Sequence, residues 1–377
     1  MPNDKFVLFC AGEDSGDCLG EPLVKAVASR CLVKGSGGMR MQNAGMVSLV
    51  DYETLPVSGF GDVLPKYFKL HRSFNVLKTA LESSDCLGLV AIDYPGFNMK
   101  LVKRAGALCK PALYVAPPQV WAWKRKRAKV LAKNPYVKLA VFFDFEESVY
   151  REAGCNVERV QHPFSNVETL ALNNLVRHRE PSKGEAIHVL LLPGSRKAQA
   201  LRNLPIYLNA VQGLEQVVVV AARQDLVPFF EKALRRIGGE SLLQRILIKV
   251  APQSAEERMA LYQSAEYALT APGTSTLELA LSGVPFTVCT KPDMLTYCLG
   301  RLFIKTKFFA LPNIILSRLV FSEHIVPPWS GLKWRLKKHL GAKENVSKEL
   351  LEKLVVGKTF DQLAFEFLGQ LVQGEPQ

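Results

Sequence analysis

Two glycine-containing turns in the second half of the chain carry the residue types that hold a diphosphate. In Leu192-Pro-Gly-Ser-Arg196, a buried apolar run ends in a turn that leads into a helical stretch. Gly194 allows close backbone approach, Ser195 supplies a hydroxyl, and Arg196 offers a forked guanidinium to phosphate oxygens near a helix start. The competing reading is an ordinary strand-to-helix turn. A P-loop is excluded, because Gly-x-x-x-x-Gly-Lys-Ser/Thr is absent. In Ala271-Pro-Gly-Thr-Ser-Thr-Leu-Glu278, Gly273 with Thr274, Ser275 and Thr276 presents N–H and hydroxyl donors where a helix dipole favours an anion. Glu278, one turn beyond Thr274, suits acceptance of hydrogen bonds from a ribose diol. Completing a capping box is the alternative, and the two are compatible.

The first half offers acids instead. Asp93, in Ala91-Ile-Asp-Tyr-Pro-Gly-Phe-Asn98, follows an apolar strand and is suited to removing a proton from an attacking hydroxyl. It equally suits a cap or the start of the Pro95-Gly96 turn. The Gly12-Glu-Asp-Ser-Gly-Asp17 loop lacks the Gly-x-Gly-x-x-Gly spacing of a dinucleotide site. Its acids Glu13, Asp14 and Asp17 would repel a diphosphate and fit sugar hydroxyls better. No second ligand cluster accompanies them, so no metal site is assigned. The eight cysteines form no C-x-x-C pair and no zinc spacing, and reduced thiols are expected.

The elements that must position these loops are short apolar runs alternating with helical patterns. Lys5 to Gly12, Leu87 to Ile92, Ala112 to Val115 and Leu139 to Phe143 read as strands, each followed by a loop and a helix. After a polar linker at Glu168 to Glu185, the pattern restarts with Ile187 to Pro193, Val217 to Ala221, Ile246 to Val250, Tyr267 to Thr270 and Pro285 to Cys289. This predicts an α/β protein of two Rossmann-like, doubly wound domains, 1–170 and 186–345, followed by C-terminal helices in 346–377. Two such units facing a central cleft suit the joining of two substrates beyond the carboxyl ends of their strands.

A chain of 377 residues with 48 Lys and Arg against 35 Asp and Glu, and 48% hydrophobic residues, folds with cores of its own. Its net charge of +13 points to a polyanion: nucleic acid, an anionic membrane or a phosphorylated substrate. The start of the sequence has no leader pattern, and no run is apolar enough to cross a membrane, so a cytoplasmic location is expected. Val57 to Arg72 interleaves apolar and basic residues. Its Val63, Leu64, Tyr67 and Phe68 could rest on a membrane or belong to the core. Arg301 to Phe309 has the same character. Trp121-Ala-Trp-Lys-Arg-Lys-Arg127 could stack on nucleic acid or receive a phosphorylated substrate.

Together these motifs resemble the lipid-A-disaccharide synthases, inverting glycosyltransferases of the GT-B fold. The resemblance runs in one order over nearly the whole chain. It comprises Gly12-Glu-x-Ser-Gly-Asp17, Gly35-x-Gly-Gly-x-x-Met41, Ile92-Asp-x-Pro-x-Phe-Asn98, Val120-Trp-Ala-Trp123, Gly194-Ser-Arg196, Gly273-Thr-x-Thr-Leu-Glu278 and Leu311-Pro-Asn313. It implies transfer of a diacylglucosamine from UDP to the 6-hydroxyl of diacylglucosamine 1-phosphate, with no cofactor and no metal. It further implies Asp93 as base, Glu13 near the acceptor or the reacting sugar, and Asn313 orienting the sugar or diphosphate. Ser195, Arg196, Gly273 and Thr274 would hold the diphosphate, and Glu278 the ribose. Acyl chains on both substrates make Val63, Leu64, Tyr67 and Phe68 a membrane or acyl contact. The protein would then lie peripherally on the anionic inner face of the cytoplasmic membrane, without nucleic acid, and a homodimer is left open. Gly96 departs from the family's Asp-x-Pro-Asp-Phe-Asn pattern, and the segment after Glu323 differs too. The rivals are another GT-B UDP-sugar enzyme, such as a UDP-sugar 2-epimerase with no acyl pocket, and a non-enzymatic membrane or nucleic-acid binder.

Overall fold

The structure is a computed structural model that describes residues 4–52, 55, 60–165, 187–303, 306–330 and 346–373. The linker expected at 168–185 lies outside the described residues, as do 57–59 and 304–305 of the two basic, apolar stretches. The chain divides into two units, Met1–Ser165 with Leu354–Gln377, and Asn166–Lys353.

In the first unit the strands are β1 (Phe6–Cys10), β2 (Leu32–Ser36), β3 (Met46–Ser48), β4 (Cys86–Ile92), β5 (Ala112–Val115), β6 (Val137–Val141) and β7 (Val157–Arg159). All pair in parallel in the order β3-β2-β1-β4-β5-β6-β7. Every residue of β1 and of β5 is buried. That is why these segments read as unbroken apolar runs: helices cover both faces of a parallel sheet, and no side of the strand meets water. The helices are α1 (Asp14–Ala28), α2 (Met39–Asn43), α3 (Phe60–Glu82), α4 (Pro95–Ala107), α5 (Lys126–Ala132) and α6 (Asp144–Glu152).

The second unit repeats the plan with β8 (Ile187–Leu192), β9 (Val217–Ala221), β10 (Leu247–Val250), β11 (Ala265–Thr270), β12 (Phe286–Thr290) and β13 (Ser322–Ile325). Their order is β10-β9-β8-β11-β12-β13, again parallel. The helices are α7 (Lys197–Ala210), α8 (Val227–Arg245), α9 (Ala255–Gln263), α10 (Thr274–Leu281), α11 (Met294–Phe303), α12 (Leu311–Ile315) and α13 (Ser347–Leu354). The helix expected from Leu226 to Ile237 continues to Arg245 after a kink at Gly238 and Gly239. The final helix, α14 (Phe360–Gln373), packs on α1 in the first unit. Its Leu363, Ala364, Phe367 and Leu368 are buried, and Gly88 of β4 leaves room for Leu371. The C-terminal segment drawn from the sequence as a single appendage is therefore shared, with Ser347–Lys353 in the second unit and the remainder in the first.

Beneath the first sheet lie two titratable side chains with opposite pH demands. Glu146, buried at the third position of α6, accepts hydrogen bonds from the Phe142 and Phe143 N–H groups at 3.1 and 3.3 Å. Burial raises its pKa to about 7 against the pull of those donors. His162, packed on Phe142 and Phe143, is driven down to about 3 by burial. Glu146 thus stabilises the fold fully below its unfolded value of about 4.5, and this is lost as pH rises through about 7. The neutral His162 contributes above about 6.5, and that is lost as pH falls towards about 3. Glu146→Gln keeps a carbonyl for both N–H donors and removes only the first dependence. Relative to wild type, it should gain up to about 3 kcal/mol between pH 5 and pH 8. Urea midpoints at the two pH values test this, and a constant difference between variant and wild type would refute it.

Candidate functional site

In each sheet the strand order reverses once, and there adjacent loops diverge to open a crevice at the carboxyl ends of the strands. In the first unit the reversal lies between β1 and β4, and the loops that leave them carry Glu13 and Asp93. In the second it lies between β8 and β11, whose loops carry Ser195-Arg196 and Gly273-Thr274. The sheet topology brings the sequence-predicted residues together in these two pairs.

Asp93 is half-buried and adopts a left-handed backbone, with φ of 47°, as does Tyr94 with 50°. Two consecutive non-glycine residues in that region are strained, and the surroundings must hold them. Asp93 N–H donates to Val115 O at 2.9 Å. Tyr114 Oη donates to Asp93 O at 3.1 Å. The Asn98 amide Nδ2 lies 3.1, 3.0 and 2.9 Å from the carbonyl oxygens of Cys10, Ile92 and Asp93, tying the end of β1 to the end of β4. Tyr94 donates to Leu55 O at 2.8 Å, and its ring lies over Gly12, where a Cβ would come within 2.3 Å of it. Pro95 then opens α4 at a position where its missing N–H costs nothing. The chain therefore turns sharply out of β4 at Asp93 and Tyr94 into α4.

The N-terminal acids do not act as a group. Glu13 is half-buried at the N-cap of α1. Asp17, expected with it among sugar-facing acids, is buried and accepts from the N–H groups of Arg40 and Met41 at 3.2 and 3.1 Å. It caps α2 and holds the Gly37-Gly38 turn, because one helical turn of α1 places it beneath that backbone. Gly96 is exposed in the first turn of α4, with open space where a Cβ would project. Gly96→Asp should raise stability by about 0.5–1.5 kcal/mol, since glycine is a poor helix former and an acid here meets the positive end of the dipole. A thermal melt reads this directly, and a lowered midpoint would contradict it.

In the second unit, Ser195, Arg196, Gly273 and Thr274 are exposed. Ala271 N–H donates to Leu192 O at 2.9 Å and joins the two loops. Gly273 has φ of 155° at the start of α10, a conformation that a side chain would strain. Thr276 Oγ1 folds back onto Gly273 O at 2.8 Å, and Ser275 Oγ bonds Thr270 Oγ1 at 2.9 Å. These hydroxyls are used by the loop itself, whereas Gly273 and Thr274 are exposed. Asn203, wholly buried, donates to Pro193 O at 2.9 Å and accepts from Lys291 N–H at 2.8 Å, pinning the Arg196 loop to the end of β12.

Asn313 takes partners other than a substrate. It is wholly buried, donates to Phe321 O and Glu323 Oε1 at 2.8 Å each, and accepts from Val320 and Phe321 N–H at 2.9 and 3.0 Å. Glu323 in turn accepts from the N–H groups of Phe309 and Ala310. Both amide hydrogens and both lone pairs of Asn313 are occupied, so it shapes the turn into α12 rather than touching a sugar. Glu278 likewise has neighbours that sequence reading did not anticipate: Arg258 Nε at 3.0 Å and Tyr262 Oη at 3.1 Å.

On α3, Phe68 is 81% exposed, whereas Leu77 and Leu81 further along are fully buried. The side chains of Val63, Leu64 and Tyr67 lie outside the described residues. No described helix is long and apolar enough to cross a membrane. Trp123 is also exposed, with Lys124 and Arg127 over its ring at 4.2 and 5.6 Å.

Residues 7–363 match the profile of the family described as lipid-A-disaccharide synthetase. The chain is 31% identical over 334 residues to a lipid-A-disaccharide synthase of Coxiella burnetii, covering 85% of this chain and 84% of that one. It is 32% identical over 338 residues to the synthase of Syntrophus aciditrophicus, covering 86% and 84%. Among solved structures, UDP-GlcNAc 2-epimerase from Neisseria meningitidis superposes with a TM-score of 0.53 at 10% identity, covering 98% of this chain and 99% of that one. A putative UDP-N-acetylglucosamine 2-epimerase from Listeria monocytogenes gives 0.52 at 12%, covering 97% and 95%. These similarities establish a GT-B fold, with its two parallel-sheet units.

Proposed function

Since this chain belongs to the lipid-A-disaccharide synthase family and is a glycosyltransferase that forms the lipid A disaccharide from a UDP-sugar donor and a lipid acceptor, we propose how its residues divide that reaction. The donor is UDP-2,3-diacylglucosamine and the acceptor is 2,3-diacylglucosamine 1-phosphate. Asp93 takes the proton of the acceptor 6-hydroxyl. That oxygen attacks the anomeric carbon, and the carbon–oxygen bond to UDP breaks with its electron pair remaining on the diphosphate. A single in-line displacement inverts the α-configured donor to a β-1′,6 linkage. Arg196, Ser195 and the donors at Gly273 and Thr274 stabilise the charge that grows on departing UDP. Glu278 accepts from the ribose diol, and Glu13 contacts the acceptor or the reacting sugar. Asn313 serves this chemistry by positioning.

One observation carries the assignment: in each unit, the two loops with the chemically apt residues flank the single reversal of strand order. The exposed Phe68, Lys69 and Arg72 of α3 support a peripheral seat on an anionic membrane. The inner face of the cytoplasmic membrane is the surface this reading requires. Incubating the protein with both diacylated substrates should yield the disaccharide 1-phosphate and UDP in equal amounts, read by mass spectrometry. Release of UDP without disaccharide would overturn the reading.

A further inference from the structure

We propose that Arg258 and Tyr262 are positioning residues that orient the Glu278 carboxylate for the donor's ribose diol; this rests on the ribose role given to Glu278 above. Both project from α9, one helical turn apart, and reach different oxygens of the same carboxylate. Arg258 Nε donates to Oε1 and Tyr262 Oη to Oε2. A carboxylate oxygen accepts more than one hydrogen bond. Each oxygen therefore keeps an acceptor site, and the two sites are spaced like the two hydroxyls of a vicinal diol. With a donor fixed on each oxygen, the carboxylate cannot rotate about its last bond without breaking one of them.

Arg258 is itself held. Its Nη1 donates to Pro252 O and Gln253 O at 3.1 and 2.7 Å, in the loop between β10 and α9. The side chains of Arg258 and Glu278 are only 11% and 17% exposed, so the pair is shielded from the water that would loosen it. The guanidinium uses one edge for the carboxylate and another for the loop carbonyls. A lysine, as a point donor, cannot keep that geometry. Tyr262 is buried, and burial together with the Glu278 charge moves its pKa well above the ordinary range, so its hydroxyl remains a donor. Ser254 caps α9 through Glu257 N–H at 3.0 Å and anchors the first turn, from which Arg258 extends. An ion pair serving only to join α9 to α10 would not need two donors on separate oxygens of a carboxylate carried by the helix that opens at Gly273.

The test is competitive inhibition by UDP and by 2′-deoxy-UDP in the full-length protein, comparing wild type, Tyr262→Phe, Arg258→Lys and Glu278→Gln. Wild type should prefer UDP by roughly 10- to 100-fold, the range for a hydrogen bond to a charged group. Tyr262→Phe and Arg258→Lys should each cut that ratio severalfold and raise the donor KM, with kcat little changed. Glu278→Gln should bring the ratio near one. Tyr262→Phe removes a single oxygen atom and, with an unchanged thermal midpoint, separates orientation from folding. A wild-type enzyme indifferent to the 2′-hydroxyl would overturn the ribose role and this inference together. Full discrimination retained in both Tyr262→Phe and Arg258→Lys would overturn the inference alone.

Discussion

Asp93→Asn should lower kcat by roughly 10²- to 10⁴-fold, the usual contribution of a positioned general base, while the affinity for UDP stays at the wild-type value. Asparagine is the informative replacement because the site is conformationally demanding. Asp93 has φ of 47°, and asparagine tolerates that region better than alanine does. The backbone contacts of residue 93, with Val115 O, Tyr114 Oη and Asn98 Nδ2, survive the change. A loss confined to kcat, with the melting midpoint and the donor KM preserved, is the signature of an interaction made only as the proton leaves. Wild-type turnover in this variant would remove Asp93 from the reaction.

The second large effect is expected at Arg196. Arg196→Ala should reduce kcat/KM for the donor by roughly 10²- to 10³-fold, comparable to deleting one preorganised donor to developing negative charge. Arg196 is exposed, at the N-cap of α7, with φ of −89° and ψ of 123°, a conformation open to any residue. Replacement there should alter stability by no more than about 0.5 kcal/mol. Arg196→Lys should recover only part of the loss, because a single ammonium cannot reproduce a forked contact with two phosphate oxygens. Steady-state kinetics on the three proteins decide the matter. Equal rates for the lysine and alanine variants would show that the fork is unused, and wild-type rates in both would refute the assignment.

The sheets were legible where strands are buried on both faces. β1, β4, β5 and β9 announce themselves as continuous apolar runs, β8 and β11 as runs interrupted by His188 and Glu266, and with them came the loops that follow. Asp93, Arg196 and Gly273 could be found because each stands immediately after such a run. The edge strands β7 and β13 could not be read this way. β7, Val-Glu-Arg, and β13, Ser-Glu-His-Ile, hold their places through backbone ladders while their side chains meet solvent or loops. The partners of the site residues were also hidden. Arg258 reaches Glu278 across 20 positions, and Asn203 reaches Lys291 across 88. Such pairings depend on which helix packs beside which loop, and spacing along the chain carries no trace of that. Asp17 and Asn313 show the converse. Their residue types suit sugar recognition, but burial places each against unsatisfied backbone groups, and the polar capacity is consumed there.

The docking of α14 on α1 bears on the order in which the protein is made. The second unit is a continuous stretch of chain, whereas the first is completed only by residues beyond Lys353. During synthesis the ribosome therefore releases everything the second unit needs while the first still lacks its closing helix. The apolar faces of α1 and β4 that receive Phe367 and Leu371 remain uncovered until α14 has emerged. Domains ordinarily fold in the order they emerge. Here the nascent chain reverses that order, and the unit that carries Asp93 becomes complete only after the second unit has emerged.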